Sequence, residues 1–146
     1  AAIAATVAAV LIPVIANGDI RSVEDARRAL ALSGARAVMV GRAAVGRPWL
    51  VGQIAAALGG RPRPDPAPAA RAALAVEHYE TLLALYGRAT GLRHARKHLA
   101  AYADEAAAAG FAVDPACRQA LVTSEEPAQV VDLLGRLFAR PGREAA

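Results

Sequence analysis

Between Ile12 and Trp49 the apolar positions form two short solid runs separated by one helical pattern. The runs, residues 12–16 and 37–40, are rich in Val and Ile, as buried parallel strands are when both faces are covered. Between them the chain is apolar at Val23, Ala26, Ala29, Leu30 and Leu32, the spacing of one helix face. Ser22 stands at the N-cap position with Asp25 three residues on, an acidic variant of the capping box, and Gly34 marks the stop. The pattern predicts a strand–helix–strand unit whose strands end in small polar turns, Asn17-Gly18-Asp19 and Gly41-Arg42-Ala43. A helix is predicted over residues 49–58, closed by Gly59-Gly60, with Trp49 as a packing residue. The apolar stretch at residues 1–15 predicts a buried helix running into the first strand.

Residues 61–68 (RPRPDPAP) have proline at every second position, which removes backbone donors and favours an extended spacer. Everything beyond it reads as helix. Residues 69–86 carry Leu74, His78, Leu82 and Leu85 at helical spacing and stop at Gly87. A second helix is predicted over 91–109 with Thr90 as N-cap. A third runs from Asp114 or Pro115 to Val122, with Asp114 as N-cap and Pro115 at the first helical position. The last spans 127–139, with Val130, Val131, Leu134, Leu137 and Phe138 as its apolar stripe. Short connections imply antiparallel neighbours and hence a small bundle. Residues 141–146 are expected to be a frayed tail.

Composition narrows this picture only a little. The 146 residues are 55% hydrophobic, and 17 Lys and Arg stand against 13 Asp and Glu. That is enough for one ordinary domain or two small ones, with a moderate basic excess. Lys97 is the only lysine. Arginine suits planar phosphate recognition, but the bias also follows from a GC-rich genome, so it decides nothing alone. A single cysteine, Cys117, excludes an internal disulfide and a multi-cysteine metal site, and fits a reducing cytosol. No stretch is long and apolar enough to span a membrane.

Two places could carry chemistry. In a β/α barrel the loops after the last strands, with the start of a short extra helix, hold phosphate. Gly18, Gly41 and Gly46 let backbone N–H groups approach an anion, and Arg42 adds charge. A helix starting near residues 45–48 would present free N–H groups and its positive dipole end. One glycine turn is an ordinary turn; two strand-end turns at this separation read as a phosphate-binding edge. The second place is the helix around Arg93, Arg96 and Lys97, with Arg88, His94 and His98, where no acidic residue occurs until Asp104. Arg93 stands beside Arg96 and Lys97 on one face, a cationic ridge next to the packing face of Leu92, Ala95, Leu99 and Tyr102. A solvated helix face is the ordinary account of such a run. His78 reads as a core or interface histidine, and Cys117 as a small packing residue. No cluster shows metal-ligand spacing.

Three stretches, PVIANGDI, GARAVMVGRAAVGRPW and RHARKHLAAY, resemble the C-terminal portion of the tRNA-dihydrouridine synthase family in its bacterial B (NifR3-like) subtype. Many flavin and phosphate barrels show Gly-Gly-Ile after the first of these strands, where this chain has Asn-Gly-Asp. The resemblance covers residues 12–138. It implies an α/β plus all-α fold: the C-terminal strands and helices of a (β/α)8 TIM barrel in residues 1–60, the spacer at 61–68, and a four-helix bundle that binds tRNA in 69–140. With only two strands and no initiating Met, the sequence looks like part of a longer protein.

The resemblance also implies an FMN-dependent oxidoreductase. NADPH reduces FMN, hydride passes to C6 of a tRNA uridine, and a cysteine protonates C5. That cysteine belongs to an earlier barrel loop, so Cys117 is not given its role, no catalytic residue is expected here, and the chain alone is expected to be inactive. Asn17, Gly18, Asp19, Gly41 and Arg42 are carried over as the FMN cradle, with Ala43 and Gly46 as further backbone contacts and Arg47 as a surface or RNA-facing residue. Arg93, Arg96 and Lys97 are expected on the tRNA backbone, with His98 stacking or hydrogen-bonding. The implied setting is cytoplasmic, with tRNA and no required protein partner. Two other readings stay open from the residues: a small-molecule flavin or phosphate barrel of dihydroorotate-dehydrogenase type, and an RNA-binding helical module.

Overall fold

The structure, a computed structural model, describes residues 2–139. It is mostly helical with one small parallel sheet. In order it contains α1 (Ala2–Ala9), β1 (Ile15–Asn17), α2 (Val23–Ser33), β2 (Ala37–Met39), a 3-10 turn (Arg42–Ala44), α3 (Trp49–Leu58), α4 (Pro68–Ala108), α5 (Pro115–Thr123) and α6 (Pro127–Leu137). The chain divides into two compact units between Asp65 and Pro66. The expected tail at 141–146 lies outside the described residues.

In the first unit β1 and β2 pair in parallel, with Ile15 opposite Ala37, Ala16 opposite Val38 and Asn17 opposite Met39. The connection between them is α2, started as its sequence predicts. Ser22 Oγ accepts from Asp25 N at 3.0 Å, and Asp25 Oδ2 accepts from Arg21 N at 3.1 Å. The backbone bond from Arg21 is the main reason the Asp25 carboxyl is held below the usual carboxylate range. Gly34 closes the helix by donating to Leu30 O. The core gathers Ile20, Ala26, Leu50 and Ile54, with Val38, Val40 and Ala43 packed against it.

Two expectations fail here. The strands are not covered on both faces. Ala16 and Val38 share the face that carries the core, while Ile15 is 61% and Met39 49% exposed on the other. A two-stranded sheet with α2 and α3 gathered in the core on one side has nothing among the described residues to cover its second face. The apolar stretch at the start does form a helix, but α1 buries none of its residues.

In the second unit α4 is two helical arms joined at Gly87, where the break read from the sequence falls. Gly87 adopts φ 72 and ψ 165, a conformation open essentially to glycine alone, and the axis turns back there. Leu82 lies against Gly91, Tyr86 against His94, and His78 against both His98 and Tyr102, so the arms on either side of Gly87 form an antiparallel hairpin. Residues 88–90 are therefore already helical, and Thr90 is not the predicted N-cap. The stripe read from residues 69–86 is partly displaced as well. Tyr79, Ala75 and Ala72 are the buried side, His78 and Leu82 face the second arm half-buried, and Leu85 is exposed.

α5 and α6 complete the core around this hairpin. Asp114 caps α5 by accepting from Ala116 N at 2.8 Å, and Val130, Leu134, Leu137 and Phe138 form the buried stripe of α6. Phe138 meets Phe111 edge-on at 5.5 Å between ring centroids. Buried Arg71 was not singled out by the sequence. Its Nε donates to Pro66 O at 2.9 Å, and its guanidinium lies over the Phe111 ring.

Candidate functional site

Parallel pairing brings both strand-end turns to one edge of the sheet, because each follows its strand at the C-terminal end. Asn17, Gly18, Asp19, Gly41 and Arg42 line a single cavity of about 620 Å³ together with Ile20, Arg21, Ala43 and Arg47. The first turn needs its residue types: Gly18 sits at φ 137, and Asp19 at φ 47, a left-handed setting that Asp tolerates better than most residues. A Cβ placed on Gly18 or Gly41 would meet no atom within 4 Å, so both backbones open onto free space.

Each turn is anchored below. Ile20, directly after the first, is buried in the core, and Ala43 packs on the same core beneath the second. The N–H groups of Arg42 and Ala43, at the start of the 3-10 turn, have no partner within it. The expected helix start contributes differently: α3 begins only at Trp49, outside the cavity lining, and the 3-10 turn takes that place. Gly46 is buried and does not line the cavity.

Charge in the cavity is lopsided. Three arginines, Arg21, Arg42 and Arg47, face one carboxylate, and Asp19 accepts an exposed bond of 3.3 Å from Arg21 Nη2. Arg47 Nη2 donates to Arg21 O at 3.3 Å, tying the loop after β2 to the loop after β1. From sequence Arg47 is expected as a surface or RNA-facing residue, and Arg21 carries no expectation. Their signal was available, since each lies within a few residues of a glycine turn, but only the folded loops bring them together. The arrangement suits an anion held by backbone N–H groups and guanidinium.

The basic helix forms a second surface. Arg93, Arg96 and Lys97 are all exposed on the second arm of α4. Arg93 and Arg96 border a groove of about 550 Å³, lined also by Arg88, Ala89, Leu92 and Glu125. Arg88 is diverted from the ridge: its Nη2 donates to Glu125 O at 2.9 Å and to Glu126 Oε1 at 3.0 Å, pinning the α5–α6 turn. His98 is half-buried, its ring edge-on to His78 at 4.7 Å, so the structure does not bring it onto the exposed ridge with the other three.

His78 Nδ1 and Tyr102 Oη are hydrogen-bonded at 3.1 Å inside the hairpin, and burial pushes the Tyr102 hydroxyl up to about 12. Burial lowers the His78 pKa; for His98 burial does the same, aided by His78, Lys97 and His94. The sign follows from linkage. Below about pH 6.5 the unfolded chain takes up protons that the folded histidines resist. Stability of the helical unit is thus complete above that pH and declines as the solution is acidified toward the folded values. Urea midpoints at a series of pH values between about 8 and 5 should fall on the acid side, and the fall should be shallower in His98→Gln. Cys117 is half-buried, and burial followed by the Asp114 carboxylate pushes its thiol up, against a nucleophilic role. Among the described residues no group of His, Cys, Asp and Glu could hold a metal ion, and no helix is long and apolar enough to cross a membrane.

Residues 1–136 match the profile of the family described as dihydrouridine synthase (Dus). A probable tRNA-dihydrouridine synthase of Rhodobacter capsulatus is 48% identical over 146 residues, which is 99% of this chain and 42% of the relative. One from Rhizobium leguminosarum bv. phaseoli is 42% identical over 138 residues, 92% of this chain and 41% of that protein. The tRNA-dihydrouridine synthase B of Xanthomonas axonopodis pv. citri is 48% identical over 106 residues, covering 72% and 32% respectively. The chain thus spans about two-fifths of the length of the first two relatives.

Proposed function

Since the chain belongs to the dihydrouridine synthase family, and to its B subtype, we propose that it serves tRNA uridine reduction by gripping the phosphate end of FMN and docking tRNA. The observation that carries this reading is the shared cavity: two glycine turns from neighbouring parallel strands, three arginines around them, and open space where side chains would otherwise stand. Bound there, FMN supplies the hydride chemistry for the uridine C5–C6 bond, with NADPH as reductant. Gly18, Gly41, Arg42 and Ala43 would hold its phosphate through backbone N–H groups, and the Arg42 guanidinium would neutralise charge. Asn17 and Asp19 offer polar side chains to the ribityl hydroxyls. Ile20 and Ala43, fixed in the core, keep the two turns at a constant separation.

The one-sided sheet fits this reading. In a (β/α)8 barrel the helices cover the outside of the strands, and the other face looks into the barrel. The bare face of Ile15 and Met39 has the character of such an interior. The helical unit, a small bundle, supplies the RNA contacts through Arg93, Arg96 and Lys97. A cytoplasmic setting follows from tRNA as substrate.

A chimera tests the cradle, with this chain replacing the matched portion of the Rhodobacter capsulatus relative. The chimera should purify with bound flavin, seen in its visible absorbance. Gly41→Asp, which puts a carboxylate where the phosphate would lie, should lower flavin occupancy at least tenfold without changing the far-ultraviolet circular dichroism. Full flavin retention in Gly41→Asp would overturn the assignment of the site.

A further inference from the structure

We propose that Tyr86 and His94, at the bend of α4, form a stacking platform for an unpaired base of the RNA docked by the helical unit. The inference rests on the tRNA reading above and adds to it a second kind of contact.

Three observations support it. First, the two rings lie 4.8 Å apart between centroids and are tilted by 39°, so each steadies the other near the tip of the hairpin. Second, the pair is not core: Tyr86 is 48% exposed, its neighbour Leu85 68%, and His94 is exposed too. An exposed tyrosine in a chain with three tyrosines, of which Tyr79 and Tyr102 are buried, is the exception. Third, cations outnumber carboxylates around it, with Glu125 on the groove beside Arg93 and Glu126 paired with Arg88. No acidic residue occurs between Glu80 and Asp104, and within that span Arg93 and Lys97 flank His94 along the same arm.

Single-stranded RNA is recognised by this combination: cations that hold the phosphate backbone beside aromatic faces that accept a splayed base. The cations alone cannot distinguish a paired from an unpaired segment, since every segment carries phosphate. A platform can, because only an unstacked base exposes its face. Gly87 adds a geometric reason, as it turns the helix at the residue after Tyr86 and leaves the ring at the end of the arm.

The test uses the full chain with two RNAs, whole tRNA and a short uridine oligomer carrying 5-iodouracil. Near-ultraviolet irradiation should crosslink the oligomer to Tyr86 or His94, mapped by peptide mass spectrometry. Tyr86→Ala should weaken oligomer binding by about tenfold, with an unchanged dependence on salt, and Tyr86→Phe should bind as the parent does. Arg93→Gln with Lys97→Gln should instead flatten the salt dependence. If the charge variant weakens binding while Tyr86→Ala does not, and the crosslink maps elsewhere, the platform is wrong and the RNA reading stands. If neither variant changes binding to either RNA, the RNA reading itself fails. An apolar protein partner at Leu85 and Tyr86 would show the same indifference to RNA, with self-association or co-purification lost in Tyr86→Ala.

Discussion

On the proposed tRNA-docking reading, reversing Arg93 and Lys97 both to glutamate should weaken tRNA binding on the order of a hundredfold at about 100 mM salt. Each positioned cation releases counterions from the RNA, so two lost contacts also flatten the log–log dependence of affinity on salt, by ~1.5. Both residues are exposed and carry no hydrogen bond or ion pair to the rest of the protein among the described residues, so the reversal leaves folding nearly unchanged. Arg118→Glu with Arg136→Glu is the control of equal charge change, because those side chains are also exposed on helices but are committed to Asp104 at 3.0 Å and to Asp132 at 2.8 Å. Filter binding with both variants across a salt series decides the matter. Equal weakening on reversing Arg118 and Arg136 would mean that net charge, and not this ridge, holds the RNA.

The second large effect concerns Gly91. Replacing an exposed helical glycine by alanine stabilises a protein by about 0.5–1 kcal/mol, because alanine loses less backbone entropy. At Gly91 the sign reverses. An added Cβ would stand 2.8 Å from Leu82 O and 2.9 Å from Leu83 Cα, both backbone atoms of the facing arm. These cannot rotate away, so the arms must separate, and overpacking of this kind costs about 1–3 kcal/mol. Gly135 in α6 provides the internal comparison: it is exposed, and nothing lies within 4 Å of its Cβ position. Urea unfolding should show a lower midpoint for Gly91→Ala and a higher one for Gly135→Ala. A higher midpoint for both would mean that the arms are not in contact at this point.

The candidate site was legible where it depends on local chemistry. Asn17-Gly18-Asp19 and Gly41-Arg42 announce themselves as turns after apolar runs, and a parallel pairing then requires both to emerge at one edge. Arg21 and Arg47 were not legible. Their part in the cavity comes from a bond between loops 26 residues apart, which no periodicity encodes. His98 shows the opposite error. It follows two cations, Arg96 and Lys97, and is expected from sequence to stack or hydrogen-bond on the RNA, yet the return of the helix at Gly87 places His78 against it.

What the sequence determined by itself was the position and type of nearly every element. Those follow from signals within a few residues: the Ser22 cap, the Asp114-Pro115 start, the solid strand runs, the apolar stripe of α6. Tertiary structure alone decided which faces meet. The same helical residues can pack or remain in solvent depending on where a single glycine turns the axis, and a strand run that suits burial stays bare on one side when nothing crosses it. Hydrogen bonding and side-chain preference act over one turn, whereas burial is a property of what the rest of the chain brings alongside.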